Sequence, residues 1–251
     1  MRRIPSIGLT RQTRLVRGAA PAPHWTPLAL SPLVWLKQGA LVYSDAGTTP
    51  AVDTDPVYRW GDSSGNGRNA DQTTLGNRPV YNTNSGNPYL NFDGSNDYLN
   101  LGNAAALNLT AGGTIFFRAQ FNATSGDGWI VGRDDASLGR SYCFGNSGGG
   151  LQLQINGSNQ LGGIGISADM LYRVGLTGNA SVGWKVFLDG VSVAAPAWSA
   201  PSSSTAPTNV GRRSYATAEG YANCRLFDVL MFGSALSDED YALLDGYFAA
   251  I

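Results

Sequence analysis

Apolar and polar residues alternate along much of the chain after residue 113, at the two-residue period of a strand with one buried face. In Ile115-Phe116-Phe117-Arg118-Ala119-Gln120-Phe121, positions 115, 117, 119 and 121 are apolar, and Arg118 and Gln120 lie opposite. Leu151-Gln152-Leu153-Gln154-Ile155 alternates without a fault and ends at Asn156-Gly157, a pair suited to a tight turn. Leu171 to Thr177 alternates through Tyr172, Val174 and Leu176. Trp184 to Leu188 meets Asp189-Gly190 and returns as Val191-Ser192-Val193, the pattern of a β-hairpin. Arg225 to Phe232 is almost wholly apolar, which predicts a strand buried on both faces.

Earlier in the chain the signals are shorter. Leu33-Val34-Trp35-Leu36 reads as the first buried strand, 42–56 as loop, and Val57-Tyr58-Arg59-Trp60 as a short strand before the turn-dense 61–67. Tyr89 to Leu101 reads as two short strands around Asp93-Gly94-Ser95-Asn96-Asp97, where Gly supplies positive φ and Asx side chains hold backbone groups. One helix is predicted: the Ser237 hydroxyl caps it, Asp238, Glu239 and Asp240 meet the positive end of its dipole, and Tyr241, Leu243, Leu244, Tyr247 and Phe248 recur near helical spacing. Many short strands with Gly/Asn/Asp turns and a single helix predict an all-β sandwich of two antiparallel sheets.

Composition supports this. Asp outnumbers Glu sixteen to two, and Asp favours turns where Glu favours helices. A net charge of −1 argues against nucleic acid as a partner of the main domain, and no window is apolar and long enough to span a membrane. The charge is uneven, however. Arg2, Arg3, Arg11, Arg14 and Arg17 precede the first acid, Asp45, and the stretch 4–16 is too interrupted for a signal peptide. Residues 1–31 therefore read as an extended basic arm ending in a Pro-rich hinge, and 32–251 as the folded domain. Such an arm suggests docking onto other protein subunits of an assembly in which the chain is oligomeric. Cys143 and Cys224 lie far apart without a zinc-type cluster; buried free thiols are expected, with a bridge as the alternative.

Four segments carry a family resemblance. Trp60-Gly61-Asp62-Ser63-Ser64-Gly65-Asn66-Gly67 comes first, and the Phe92-Asp93-Gly94 run follows. The Trp184–Val193 hairpin with Leu188-Asp189-Gly190 is third, and the last strand leading into Ala235-Leu236-Ser237-Asp238-Glu239 is fourth. Taken in this order they resemble laminin-G-like (concanavalin-A-like lectin/glucanase) jelly-roll domains of bacterial and bacteriophage surface proteins, over about residues 33–250. The resemblance implies a jelly-roll sandwich that usually binds surfaces or sugars and only sometimes catalyses. Phe227 departs from it, standing where many members carry an acid, with only Asp228 keeping a carboxylate there.

Catalysis lacks its residues. Glycosidases of this fold are expected to place Glu-x-Asp-x-Glu on one strand, but the only glutamates are Glu219, in a loop, and Glu239, in the helix cap. Asp134 and Asp135 are adjacent and would face opposite sides of a strand, and the single imidazole, His24, lies in the hinge. A non-enzymatic protein is expected. Calcium is a candidate cofactor at Asp62 and Asn66, where Asx oxygens suit a hard cation, although the same side chains equally serve to hold turns. For glycans, Trp129, Tyr142, Tyr215 and Tyr221 are the candidate stacking aromatics, each in or beside polar, Gly-rich sequence. The expected function is a lectin-like adhesive module anchored by its arm on a larger assembly. A tailed-phage virion, as capsid decoration, head-fibre or tail protein, is the context that fits. A free carbohydrate-binding lectin is the alternative, and a glycosidase or lyase a remoter one.

Overall fold

The computed structural model describes residues 25–83, 86–213 and 220–251. The first seven strands are β1 (Val34–Leu36), β2 (Val42–Tyr43), β3 (Arg59–Trp60), β4 (Ala70–Asp71), β5 (Val80–Asn82), β6 (Tyr89–Asp93) and β7 (Leu99–Asn100). The long strands β8 (Gly113–Phe121), β9 (Asp127–Asp135), β10 (Gly139–Ser147) and β11 (Gly150–Ile155) follow, with the two-residue β12 (Ser158–Asn159) and β13 (Ile164–Gly165). Last come β14 (Leu171–Asn179), β15 (Gly183–Leu188), β16 (Val191–Ala194), β17 (Asn209–Val210), β18 (Asn223–Phe232) and one helix, α1 (Asp238–Ala249).

These strands form two antiparallel sheets. The eight-stranded one runs β16-β15-β14-β8-β18-β6-β5, with β1 also on β18. The ten-stranded one runs β12-β11-β10-β9-β17-β7-β4-β3-β2, with β13 on β11. The architecture is the predicted β-sandwich jelly roll. The alternating residues do what their period requires: Ile115, Phe117, Ala119 and Phe121 face Leu151, Leu153, Ile155 and Phe144 in one dry core. Phe117 and Phe144 meet across the sheets at 5.5 Å between ring centroids.

Strand β18 is buried on both faces for a visible reason. Leu226, Val229 and Met231 point into the sandwich, while Leu230 and Phe232 lie under α1 with Phe116, Tyr241, Leu244 and Phe248. Phe116 stacks on Phe248 at 4.9 Å, and Phe187 on Tyr241 at 4.0 Å. Ser237 caps the helix by accepting the Asp240 N–H at 3.1 Å. The end of the predicted hinge also packs here, with Trp25 against Tyr247 at 6.0 Å. The arginines of the arm, Arg2, Arg3, Arg11, Arg14 and Arg17, lie outside the described residues, as do His24 and Glu219.

The two short strands expected in the 89–101 run form and lie in different layers: β6 belongs to the eight-stranded sheet and β7 to the ten-stranded one. The Asp93–Asp97 turn thus carries the chain from one layer to the other. The predicted loop after Val42 also contains a strand, because Val42 and Tyr43 pair with Trp60 and Arg59. Cys143 and Cys224 are free and buried, one in each sheet.

Candidate functional site

The Asp62 loop is a hydrogen-bonded turn. Asp62 Oδ1 accepts the N–H groups of Trp35 (2.9 Å) and Ser64 (2.8 Å), and Oδ2 accepts the Ser64 hydroxyl (2.8 Å) and the Arg68 N–H (3.0 Å). Asn66 turns its amide nitrogen, not its oxygen, toward the carbonyls of Pro32 (2.9 Å) and Leu33 (3.2 Å). The calcium reading of Asp62 and Asn66 is therefore corrected: protein donors already occupy the lone pairs a cation needs. Among the described residues no group of three or more acidic, His or Cys side chains is placed to hold a metal.

Two predicted stacking aromatics are also corrected. Trp129 is fully buried in β9, where its backbone N–H donates to the Gly220 carbonyl at 3.1 Å and the Gly220 backbone lies against the indole. Tyr142 points from β10 into the sandwich, and its hydroxyl donates to the Leu107 carbonyl at 2.8 Å. Burial pushes the Tyr142 phenol well above its ordinary range. Neither ring offers a face to a sugar. Tyr215 lies outside the described residues, and Tyr221 is half-buried and lines a cavity.

That cavity, about 200 Å³, sits at the sandwich rim between the Gly94 turn, the β8–β9 connection and the start of β18. Its polar groups are Asp127, Asn146, Asn223 and Ser125. Asn146 is 2% exposed, its Nδ2 donates to the Thr124 carbonyl at 3.3 Å, and its Oδ1 has no partner. A buried acceptor without a donor costs free energy, on the order of 1–3 kcal/mol, unless a ligand or water supplies one. Asp127 accepts from Ser147 Oγ, and Asn223 Oδ1 accepts from Asn122 Nδ2 at 3.0 Å. The cavity thus combines an aromatic ring with oxygen acceptors, an arrangement that can hold a ring bearing several hydroxyls.

A larger trough, about 600 Å³, crosses the ten-stranded sheet where β4 and β7 are joined through Asp71 and Asn100. Its polar groups serve the fold. Asp71 pairs with Arg59 at 2.7 Å, Asn69 Oδ1 accepts the Asp62 N–H, and Asn100 Oδ1 accepts the Gly102 N–H. The rim cavity is the better site because its acceptor is unspent.

The sequence pointed to Tyr221 and missed Asp127, Asn146 and Asn223. Their only local signal is the surrounding glycine, at Gly126, Gly128 and Gly148. The carboxylates weighed for catalysis are otherwise engaged. Asp134 pairs with Arg140 at 2.8 Å, and Asp135 Oδ1 accepts the N–H groups of Ser137 and Leu138.

No family model matches the chain, and no curated protein matches it. Solved structures do. A Trypanosoma rangeli sialidase in complex with sialic acid superposes with a TM-score of 0.60 at 13% identity, covering 87% of this chain and 33% of the sialidase. The botulinum neurotoxin serotype D ligand-binding domain in complex with N-acetylneuraminic acid gives 0.57 at 14% identity, covering 88% of this chain and 52% of its own. Domain 4 of a GH43 extracellular arabinanase from Geobacillus stearothermophilus, in complex with arabinotriose, gives 0.56 at 10% identity, covering 77% and 98%. The chain spans about a third of the sialidase and half of the toxin chain, and these likenesses are likenesses of fold.

Proposed function

We propose that the protein is a non-enzymatic, lectin-like module that binds a glycan at the rim cavity. In this reading the hydroxyls of a terminal sugar donate to Asn146 Oδ1 and Asp127, Asn223 holds the ring from the β18 side, and Tyr221 packs against its C–H face. The observation that carries it is the buried, unpartnered Asn146 acceptor in a polar cavity lined by Tyr221. At about 200 Å³ the cavity is smaller than the roughly 300–1,000 Å³ clefts that enclose drug-sized ligands, and suits one sugar unit. Proteins that contain a like-folded part and are solved with sialic acid, N-acetylneuraminic acid and arabinotriose support the class of ligand.

A glycan array tests this. Saturable binding lost in both Tyr221→Ala and Asn146→Ala, with the melting temperature of Tyr221→Ala unchanged, is expected. Binding that survives both substitutions sinks the rim site, and turnover of a glycan would replace the lectin reading with an enzymatic one.

The finer reading is a laminin-G-like jelly roll displayed on a larger particle, a tailed-phage virion being the proposed case, with residues 1–31 docked onto neighbouring subunits. The five arginines before the first acid support it. Deleting residues 1–31 should prevent incorporation into the particle while the sandwich stays folded. Normal incorporation of the truncated chain would overturn it.

A further inference from the structure

The helix α1 covers only part of the outer face of the eight-stranded sheet. Beside it, over β6, β18 and β8, lies a cleft of about 230 Å³ that shares no lining residue with the rim cavity, although Arg225 follows the rim's Asn223 by two residues on β18; Tyr89, Arg118, Gln120, Arg225, Phe227, Gln38 and Asn87 line it. A β-bulge between Leu226 and Asp228 builds it, since the extra residue there is Phe227. Phe227 and Tyr89 form an aromatic wall with ring centroids 5.6 Å apart.

Two cations face this wall, and they differ. The Arg118 guanidinium lies 5.8 Å from the Phe227 ring and is neutralised from below by Asp228 at 2.7 Å. It also donates to Gln38 Oε1 and, at 3.3 Å, to the Ile251 carbonyl oxygen. Arg225 lies 5.4 Å over the Tyr89 ring, and its guanidinium makes a long 3.5 Å contact to the neutral Gln120 Oε1. Among the described residues Arg225 makes no ion pair, and no acidic side chain lines the cleft. A half-buried guanidinium set on an aromatic face, with amides around it and no acidic side chain beside it, is built for an anion, while the Ile251 oxygen that also lines the cleft is taken by Arg118.

We infer that this cleft binds an acidic sugar, its carboxylate on Arg225, its C–H face on Tyr89 and Phe227, and its hydroxyls on the amides of Gln38, Asn87 and Gln120. The carboxylate accepts the guanidinium donors that Gln120 uses poorly, the aromatic wall matches the apolar side of a pyranose, and the volume holds one ring. This site is separate from the rim cavity, so either can stand without the other.

Calorimetric titration with D-glucuronate and N-acetylneuraminate, against D-glucose and N-acetylmannosamine, tests it. At least one acidic sugar should bind about tenfold or more tightly than its neutral counterpart, as a charge-assisted hydrogen bond requires. That binding should weaken with added salt. Arg225→Gln should remove it, Arg225→Lys should restore part of it, and Tyr221→Ala and Asn146→Ala should leave it intact. Equal binding of neutral and acidic sugars, no binding of either acid, or unchanged binding by a folded Arg225→Gln would overturn the inference. So would a short acidic peptide that binds more tightly than both acids, which would make the cleft a protein-docking site. If the acids bind but the loss follows Tyr221→Ala instead, the rim cavity holds them and this assignment fails alone.

Discussion

Gly128 and Asn146 are cross-strand partners on β9 and β10, and a Cβ on Gly128 would occupy the place of Asn146 Oδ1. The missing side chain of one residue is what leaves room for the other's amide oxygen beside the rim cavity. Gly128→Ala is expected to displace Asn146 and abolish glycan binding, with a stability loss of about 1–3 kcal/mol from overpacking. Denaturant melts alongside the array separate the two effects, and a Gly128→Ala protein that still binds would show that Asn146 need not be so placed.

Asp97 and Asp93 share one turn, with the Asp93 N–H donating to Asp97 Oδ2 at 3.0 Å. Burial, aided by the neighbouring Asp93 charge, pushes the Asp97 carboxyl up to about 7 from 3.8. Between those values the native state holds more protons than the unfolded chain, so this group makes stability fall as pH rises from about 4 to about 7, then level off. Melting temperatures measured at pH ~5 and ~8 should therefore differ less in Asp97→Asn than in the parent protein. An identical pH dependence in both would refute the assignment.

Arg118 and Asp228 form an ion pair under the helix and the Tyr89–Phe227 cleft, with side chains only 3% and 1% exposed. Burial pushes the Asp228 carboxyl up, and the Arg118 guanidinium and the Gln38 N–H oppose that shift. Asp228→Ala strands a buried cation and should cost about 3–5 kcal/mol in urea unfolding. Replacing both residues, as Arg118→Met with Asp228→Leu, should cost clearly less.

Asp62 ties four donors from three residues, the N–H groups of Trp35, Ser64 and Arg68 and the Ser64 hydroxyl. Asp62→Ala should lower stability by about 2–3 kcal/mol, because the Trp35 N–H is left buried without an acceptor. The parent melting temperature should be the same with calcium and with EDTA, since a bound ion would stabilise only the folded state. A calcium-dependent rise lost in Asp62→Ala would restore the metal reading.

Much of the sandwich is legible in the chain because strand period and turn chemistry are local. The alternation at 115–121 and 151–155, the Asp189-Gly190 turn and the Ser237 cap each reappear in place. Hairpin β9–β10 is the instructive failure. Gly126, Gly128, Gly132 and Gly145 give it the composition of a loop, so Trp129 and Tyr142 were expected at a surface. Gly132 and Gly145 instead sit where other backbone passes close by, Gly132 beneath Arg212 and Arg213, and Gly128 lies against the Asn146 side chain.

By itself, the sequence determined the layer architecture, the two-faced burial of β18, the helix cap and the unequal distribution of arginine, all set by spacing of a few residues. Only the tertiary structure decided which polar groups were left unspent. Asp62 and Asn66 are consumed in part by partners some thirty residues away, at Trp35 and Pro32. Asn146 and Arg225, unremarkable in the chain, emerge with an acceptor and a cation that the fold does not satisfy. Hydrogen-bond and charge satisfaction is a sum over long-range neighbours, and no local pattern of residues contains it.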